Sequence, residues 1–285
     1  MEPSTAGVPW RKILYCKQPF PDNYSGGDEQ FLSELKKNLS AVKYTYWEAV
    51  FGVNRLVFHL NLIVLLYIIF EYVFNNTLTA SVLGIGLISA SSFLYVVYAA
   101  FLADHRIDFI DHLYTVVVLF LFGYATTPAI RTLTDTISTD TIFALSFITA
   151  LISCVFHDYG INAPIVSYQL SVSSGLSSAV FLLSRLKSND LAFVMLSMAF
   201  ALHAFSPFIR NRLFVRHAVI ASLLTTSLSV CSTYFLWTLY VELSAIWLLF
   251  QLFLQFVCPF ILIIEQKSKQ TIHGPWDEAI PRKQS

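Results

Sequence analysis

Long stretches of this chain are apolar on every face, and short polar segments separate them. A segment apolar all round has no solvent side, so it belongs in a deep core or in lipid. Spanning the hydrocarbon takes about 20 such residues, with a range of roughly 17–25. Eight runs approach that length: Leu56–Phe74, Ser81–Leu102, Leu113–Ile130, Thr141–Phe156, Ile165–Leu183, Leu191–Ile209, Ala218–Leu239 and Leu243–Ile264. Only Tyr240, Val241 and Glu242 separate the last two, which predicts a tight helical hairpin. The expected fold class is all-α: a polytopic membrane bundle of about eight transmembrane helices.

Composition strengthens that reading. Of 285 residues, 56% are hydrophobic and 13% charged, whereas soluble domains carry about 25% charged residues. Too few ions remain to coat a globular surface. Net charge is zero, which argues against a nucleic-acid partner, but the basic residues are unevenly placed. Fifteen of the 18 lie on one side of an eight-span topology, leaving Arg131, Arg185 and Lys187 on the other. Excess Lys and Arg mark the cytosolic face, so both termini are expected in the cytosol. Three regions follow: a cytosolic segment over 1–55, the bundle over 56–264 and a cytosolic tail over 265–285. The opening "MEPSTAGVPW" has neither the apolar core nor the small-residue cleavage site of a signal peptide. Within the N-terminal segment, "DEQFLSELKKNLSAVKYTYWEAVF" has a helical period, with Asp28 as cap and Phe31, Leu32, Leu35, Leu39 and Val42 on one face. Such a basic amphipathic helix suits the headgroup level of a membrane or the surface of the bundle.

Candidate chemistry is sparse. Cys16, Cys154, Cys231 and Cys258 show no metal-ligand spacing, and no Gly-rich strand–turn–helix or P-loop pattern occurs. No metal site, cofactor or nucleotide-binding domain is expected. "FHDYGINAP" (156–164) is the densest polar cluster between spans. Gly160 and Pro164 break the helix there, and Asp158, Tyr159, Gly160 and Asn162 read either as a turn that handles a polar lipid headgroup or as an ordinary interfacial loop. Ser167, Ser171, Ser174, Gly175 and Ser178 follow on one helix face, the small-residue pattern of close helix packing. Asp104, Asp108 and Asp111 share a face if helical, but a solvated acidic turn explains them better than a metal site. Thr139 or Asp140 is positioned to cap the fourth span. Asn75–Asn76–Thr77 matches a glycosylation acceptor but abuts a span, so it is expected to be unused. His59, Asn61, Glu71, His203 and Gln251 lie inside spans and should face the bundle interior, although Glu71 is near enough to its helix end to snorkel. At the two ends, Pro19, Phe20, Pro21, Asp22, Asn23 and Tyr24 alternate prolines with aromatics, and His273, Gly274, Pro275, Trp276, Asp277 and Glu278 place a tryptophan in a polar tail. Both stretches read as docking segments, for this chain or a partner.

Taken together, "QPFPDNY", "FLSELKKN", "TLTDTISTDTIFA", "DYGINAPIVS", "LSRL", "CPF" and "IHGPWDEA" resemble the PIG-C family in order and over nearly the whole chain. The chain differs in placing His157 before the aspartate and Pro164 after "NA". The resemblance implies a multi-pass endoplasmic-reticulum subunit of the complex that transfers N-acetylglucosamine from UDP-GlcNAc to phosphatidylinositol, the first step of glycosylphosphatidylinositol (GPI) anchor synthesis. It implies partnership with a catalytic PIG-A-type glycosyltransferase subunit, other subunits of the complex and bilayer lipid, and it assigns no catalytic residue to this chain. Two other readings stand beside it: an independent transporter or flippase, and a membrane-embedded headgroup transferase.

Overall fold

A computed structural model describes residues 17–21, 24, 32, 35–37, 43–102, 109–132, 134, 136–159, 166–266, 268 and 272–273. Ten α-helices are present among these residues: α1 Tyr46–Phe74, α2 Ala80–Val97, α3 Phe109–Thr132, α4 Thr139–Phe156, α5 Tyr168–Leu183, α6 Asn189–Ala199, α7 Ser206–Arg216, α8 Ala218–Leu239, α9 Val241–Leu252 and α10 Cys258–Glu265. Wide π-turns extend α2 through Tyr98–Leu102, join α6 to α7 through Phe200–Phe205 and join α9 to α10 through Phe253–Val257. Seven continuous helices are thereby long and apolar enough to cross a membrane. The eighth, α5, is 16 residues long and begins at Tyr168 rather than Ile165, which lies outside the described residues. The chain is the helical membrane bundle its apolar runs predict.

Several boundaries differ from expectation. Helix α1 starts at Tyr46, ten residues before its apolar run, and its 29 residues reach about 44 Å, well beyond a 30 Å hydrocarbon core. Arg210, Arg212 and Arg216, read as a loop, are helical: the π-turn at Phe200–Phe205 passes directly into α7, and Pro207 sits in its first turn, where a missing N–H is tolerated. Ser138, not Thr139 or Asp140, caps α4 and accepts a hydrogen bond from Thr141 N at 3.3 Å. Asn75–Asn76–Thr77 closes α1. Asn76 takes the left-handed conformation (φ 57°), Thr77 N donates to Tyr72 O and Asn76 N donates to Val73 O. These are the two bonds of a Schellman cap.

Two compact units divide the chain, one from 1–46 with 260–285 and one from 47–259. In the first, Lys36–Lys37 pairs antiparallel with Ile272–His273, Lys36 opposite His273. The helical period expected across this stretch therefore does not hold at 36–37, where pairing with a segment distant in sequence overrides local pattern. Phe20 stacks on Tyr24 at 4.7 Å, and Tyr24 N donates to Pro21 O, closing a turn.

The second unit holds the bundle, and α1 is its central helix. One apolar cluster gathers Leu66, Phe70 and Val73 of α1 with Leu183 of α5 and Met195 and Ala199 of α6. Another joins Phe58 and Leu62 to Phe214 of α7 and Ala221 of α8. Outward positions such as Ile85, Leu121, Leu223 and Leu249 are exposed and apolar, while His59, Asn61, Glu71, His203 and Gln251 all point inward. Glu71 does not snorkel: it is buried and lies 3.4 Å from the Tyr240 hydroxyl.

Polar pairs weld the helices. Asn61, 0% exposed, uses its full capacity. Its Nδ2 donates to Val57 O (2.8 Å) and Ser229 Oγ (2.9 Å), and its Oδ1 accepts from Ser232 Oγ (2.5 Å) and Gln251 Nε2 (3.1 Å). Helices α1, α8 and α9 meet at this one side chain. Asn54 repeats the arrangement nearer the start of α1, donating to Ser222 Oγ and accepting from Gln255 Nε2. A groove of about 820 Å³ opens beside this seam, walled by aromatics that include Trp47, Tyr234 and Trp237.

Helices α4 and α5 are joined by hydroxyls. Ser146 Oγ donates to Ser178 O (2.9 Å), Ser153 Oγ to Ser171 O (2.8 Å) and Ser171 Oγ back to Ser153 O (3.0 Å). On the same helix, Gly175 admits the ring of His203: a Cβ there would stand 2.5 Å from His203 Nδ1.

Two outcomes follow from this packing. Asn61→Ala removes four hydrogen bonds at the meeting of three helices and should lower stability by about 1–2 kcal/mol, read as a reduced melting temperature in detergent. Gly175→Ala should destabilise by about 1–3 kcal/mol through overpacking, and adding His203→Ala should recover part of that loss. A double variant no more stable than Gly175→Ala would show that the ring is not what the glycine accommodates.

Candidate functional site

The site lies at the end of α4 and is organised by a break in the helix. α4 stops at Phe156, His157 turns into extended backbone (φ −68°, ψ 142°), and Ser167 N returns to donate to Phe156 O. Ser167 then caps α5, its Oγ accepting from Leu170 N. Tyr159 folds back on the turn, its hydroxyl donating to Cys154 O at 2.7 Å. Residues 160–165, which include Gly160 and Asn162, lie outside the described residues.

Two arginines from other helices converge on this turn. Arg55 of α1 donates to Tyr159 O at 2.5 Å and lies over the Phe214 ring. Arg210 of α7 donates from Nη2 to His157 Nε2 (2.5 Å), Asp158 O (3.3 Å) and Asn211 Oδ1 (3.3 Å). Those bonds fix the histidine tautomer. With Nε2 accepting, Nδ1 carries the proton and donates to Ser171 Oγ at 2.8 Å. Ser171 passes the chain on to Ser153 O, so the α4–α5 serine seam ends at Arg210.

Two further histidines complete the cluster. His59 of α1 stacks on His157 with ring centroids 3.7 Å apart, and the His203 ring stands edge-on to His59 at 6.0 Å. His157 is buried at 2% exposure, and desolvation, assisted by the Arg210 and His203 charges, pushes its pKa down to about 3. It is therefore neutral at pH 7, as its acceptor role requires. Burial also raises the Tyr159 phenol, which stays protonated. Among the described residues no group of three metal-ligating side chains is placed to hold an ion.

What marks the cluster is unmet polarity. Arg210 is 2% exposed, yet its Nε and Nη1 have no hydrogen-bond partner among the described residues, and the same is true of both ring nitrogens of His59 and Nδ1 of His203. Native proteins rarely leave such atoms unpaired. A buried cation without full pairing costs several kcal/mol even after relaxation, about 3–5 when a partner is removed.

Of the residues singled out in the sequence, Asp158 and Tyr159 fall at this turn, half-buried. Ser171, Ser174, Gly175 and Ser178 are buried on the inward face of α5. Pro19, Phe20, Pro21, Tyr24 and His273 are described in the terminal unit. Asp22, Asn23, Gly274, Pro275, Trp276, Asp277 and Glu278 lie outside the described residues, as do Asp104 and Asp108. Asp111 sits in the first turn of α3, exposed. Sequence reasoning missed Arg55 and Arg210 as site residues, counting them only as topology-setting charges. The available signal was an arginine three residues after Pro207 in a segment still apolar enough to continue as helix.

Comparison with known proteins adds the family. The family model described as phosphatidylinositol N-acetylglucosaminyltransferase matches residues 10–277. The C subunit of that enzyme from Homo sapiens is 36% identical, over 97% of this chain and 94% of its own length. The protein named as the putative C subunit in Dictyostelium discoideum is also 36% identical, over 95% and 79%. The GPI2 subunit from Schizosaccharomyces pombe is 29% identical, over 96% and 87%. No solved structure matches. A bundle whose polar residues turn inward, matched along almost its entire length by these proteins, belongs to the GPI2 (PIG-C) family of phosphatidylinositol N-acetylglucosaminyltransferase subunits.

Proposed function

We propose that this chain is a non-catalytic subunit of the complex that moves N-acetylglucosamine from UDP-GlcNAc to phosphatidylinositol in the endoplasmic-reticulum membrane. In this reading both termini are cytosolic. The bundle scaffolds a PIG-A-type catalytic subunit, and the turn after α4 presents the inositol headgroup to it. The observation that carries the reading is the turn itself: Asp158 and Tyr159 are held by Arg55 and Arg210 from two different helices. Transfer to a lipid hydroxyl gains rate from fixed orientation of the acceptor, and a turn pinned on both sides by rigid helices provides that orientation. The Asp158 carboxylate and the Tyr159 hydroxyl suit the hydroxyls of a polyol, with Gly160 and Asn162 extending the same segment. Docking falls to the terminal stretches, Pro19 to Tyr24 and His273 to Glu278. The paired strands at Lys36–Lys37 and Ile272–His273 join the first residue of the second stretch to the N-terminal segment.

Asp158→Ala should lower transferase activity of the assembled complex by about ten- to a hundredfold while its components still co-purify. Loss of the complex instead would make the residue structural. Trp276→Ala should reduce recovery of the catalytic subunit in a pull-down without altering the amount of this chain in the membrane; unchanged recovery removes the docking role.

A further inference from the structure

We propose that Arg210, with Arg55 beside it on the same turn, forms a binding site for a phosphate oxyanion. This deepens the headgroup reading above and rests on it for the identity of the lipid. Arg210 is almost wholly buried and offers two N–H-bearing atoms, Nε and Nη1, that donate to nothing among the described residues. Its remaining terminal nitrogen is fully engaged in building the turn. The unmet donors are thus the surplus of a side chain that is already fixed in place.

Charge around the guanidinium points the same way. Arg55 brings a second cation to the turn through Tyr159 O, and the two arginines repel one another. Asp158 lies near enough for its charge to favour the guanidinium; Arg210 Nη2 bonds its backbone carbonyl, while Nε and Nη1 have no hydrogen-bond partner among the described residues. His157 adds no negative charge and spends Nε2 as an acceptor. His59, stacked on it, and His203, edge-on to His59, leave further ring nitrogens unpaired among the described residues. An anion with two or more oxygens meets this set. Nε and Nη1 lie on different edges of the guanidinium, so each can give a single charge-assisted hydrogen bond to an oxyanion, and a phosphodiester keeps its negative charge at any physiological pH. Recognition of an inositol phospholipid then divides naturally: arginine on the phosphate, Asp158 and Tyr159 on the ring hydroxyls.

The same oxyanion chemistry has two sources, a phospholipid or soluble phosphate, and one titration separates them. The full-length chain in detergent is melted with dioctanoyl phosphatidylinositol, with dioctanoylglycerol, which has the same tails and no phosphate, and with inorganic phosphate. The expected result is a rise in melting temperature with the phospholipid and none with dioctanoylglycerol. Arg210→Gln should weaken that binding by about tenfold or more; because it also gives up the Nη2 bonds to His157 and Asp158, its melting temperature is read with and without ligand rather than against the parent. Arg210→Lys, keeping the charge on a single donor head, should fall between, and it serves if the glutamine variant does not fold. A shift produced equally by inorganic phosphate supports the anion site and assigns it to a soluble source. No shift from phospholipid or phosphate, an equal shift from dioctanoylglycerol, or full affinity in both variants overturns the site. The headgroup reading fails separately, through Asp158→Ala: normal transfer there with phosphate binding retained leaves an anion site that does not present lipid.

Discussion

Hydrocarbon offers no hydrogen-bond partner, so every polar group carried into the bilayer must find one inside the protein. The rest of this structure depends on that constraint. Asn61 is saturated by four bonds from three helices, Asn54 repeats the arrangement, and three serine hydroxyl bonds, two of them a reciprocal pair, seal α4 to α5. Apolar packing alone discriminates poorly between one helix pair and another in lipid, because the tails are as apolar as leucine. Directional bonds choose the partners, and the large side chains facing outward fill the remaining surface without specifying it.

Against that background the cluster at the end of α4 is an exception with consequences. The chain holds three histidines and two arginines together where water is scarce. It keeps His157 neutral so that it can accept a proton-bearing guanidinium, and it runs the resulting hydrogen-bond chain into the serine seam. The site is therefore built on the same scaffold that holds the helices together. Elements that tie up polarity elsewhere here leave part of it open.

The apolar runs made the architecture legible: each of the eight predicted spans corresponds to a helix, because lipid-facing segments must be apolar all round. Boundaries were less legible. Tyr46–Arg55 is too polar to register as a span, yet it continues α1 because nothing in it breaks a helix. Arg210, Arg212 and Arg216 read as a loop beyond the span that ends at Ile209, yet the helix that follows the π-turn carries on through them to Arg216. The pairing of Lys36–Lys37 with Ile272–His273 joins segments too far apart in sequence for any local pattern to reveal. As for the site, Asp158 and Tyr159 were visible as polar residues between apolar runs. Arg210 and His203 were not visible as their neighbours, since their meeting depends on how α5, α6 and α7 pack.

The wide turn at Phe200–Phe205 sets the angular phase of everything that follows it. A π-turn accommodates one residue more than the α-helical path, and each residue of an α-helix advances about 100° around the axis. His203 lies within that turn, over the gap left by Gly175, and Arg210 lies beyond it. In an unbroken α-helix of the same sequence, His203 and Arg210 could not both keep their present headings. The bulge is thus the gear that lets one continuous rod serve two clients: a helix pair that needs closeness and a polar end that needs a guanidinium turned inward.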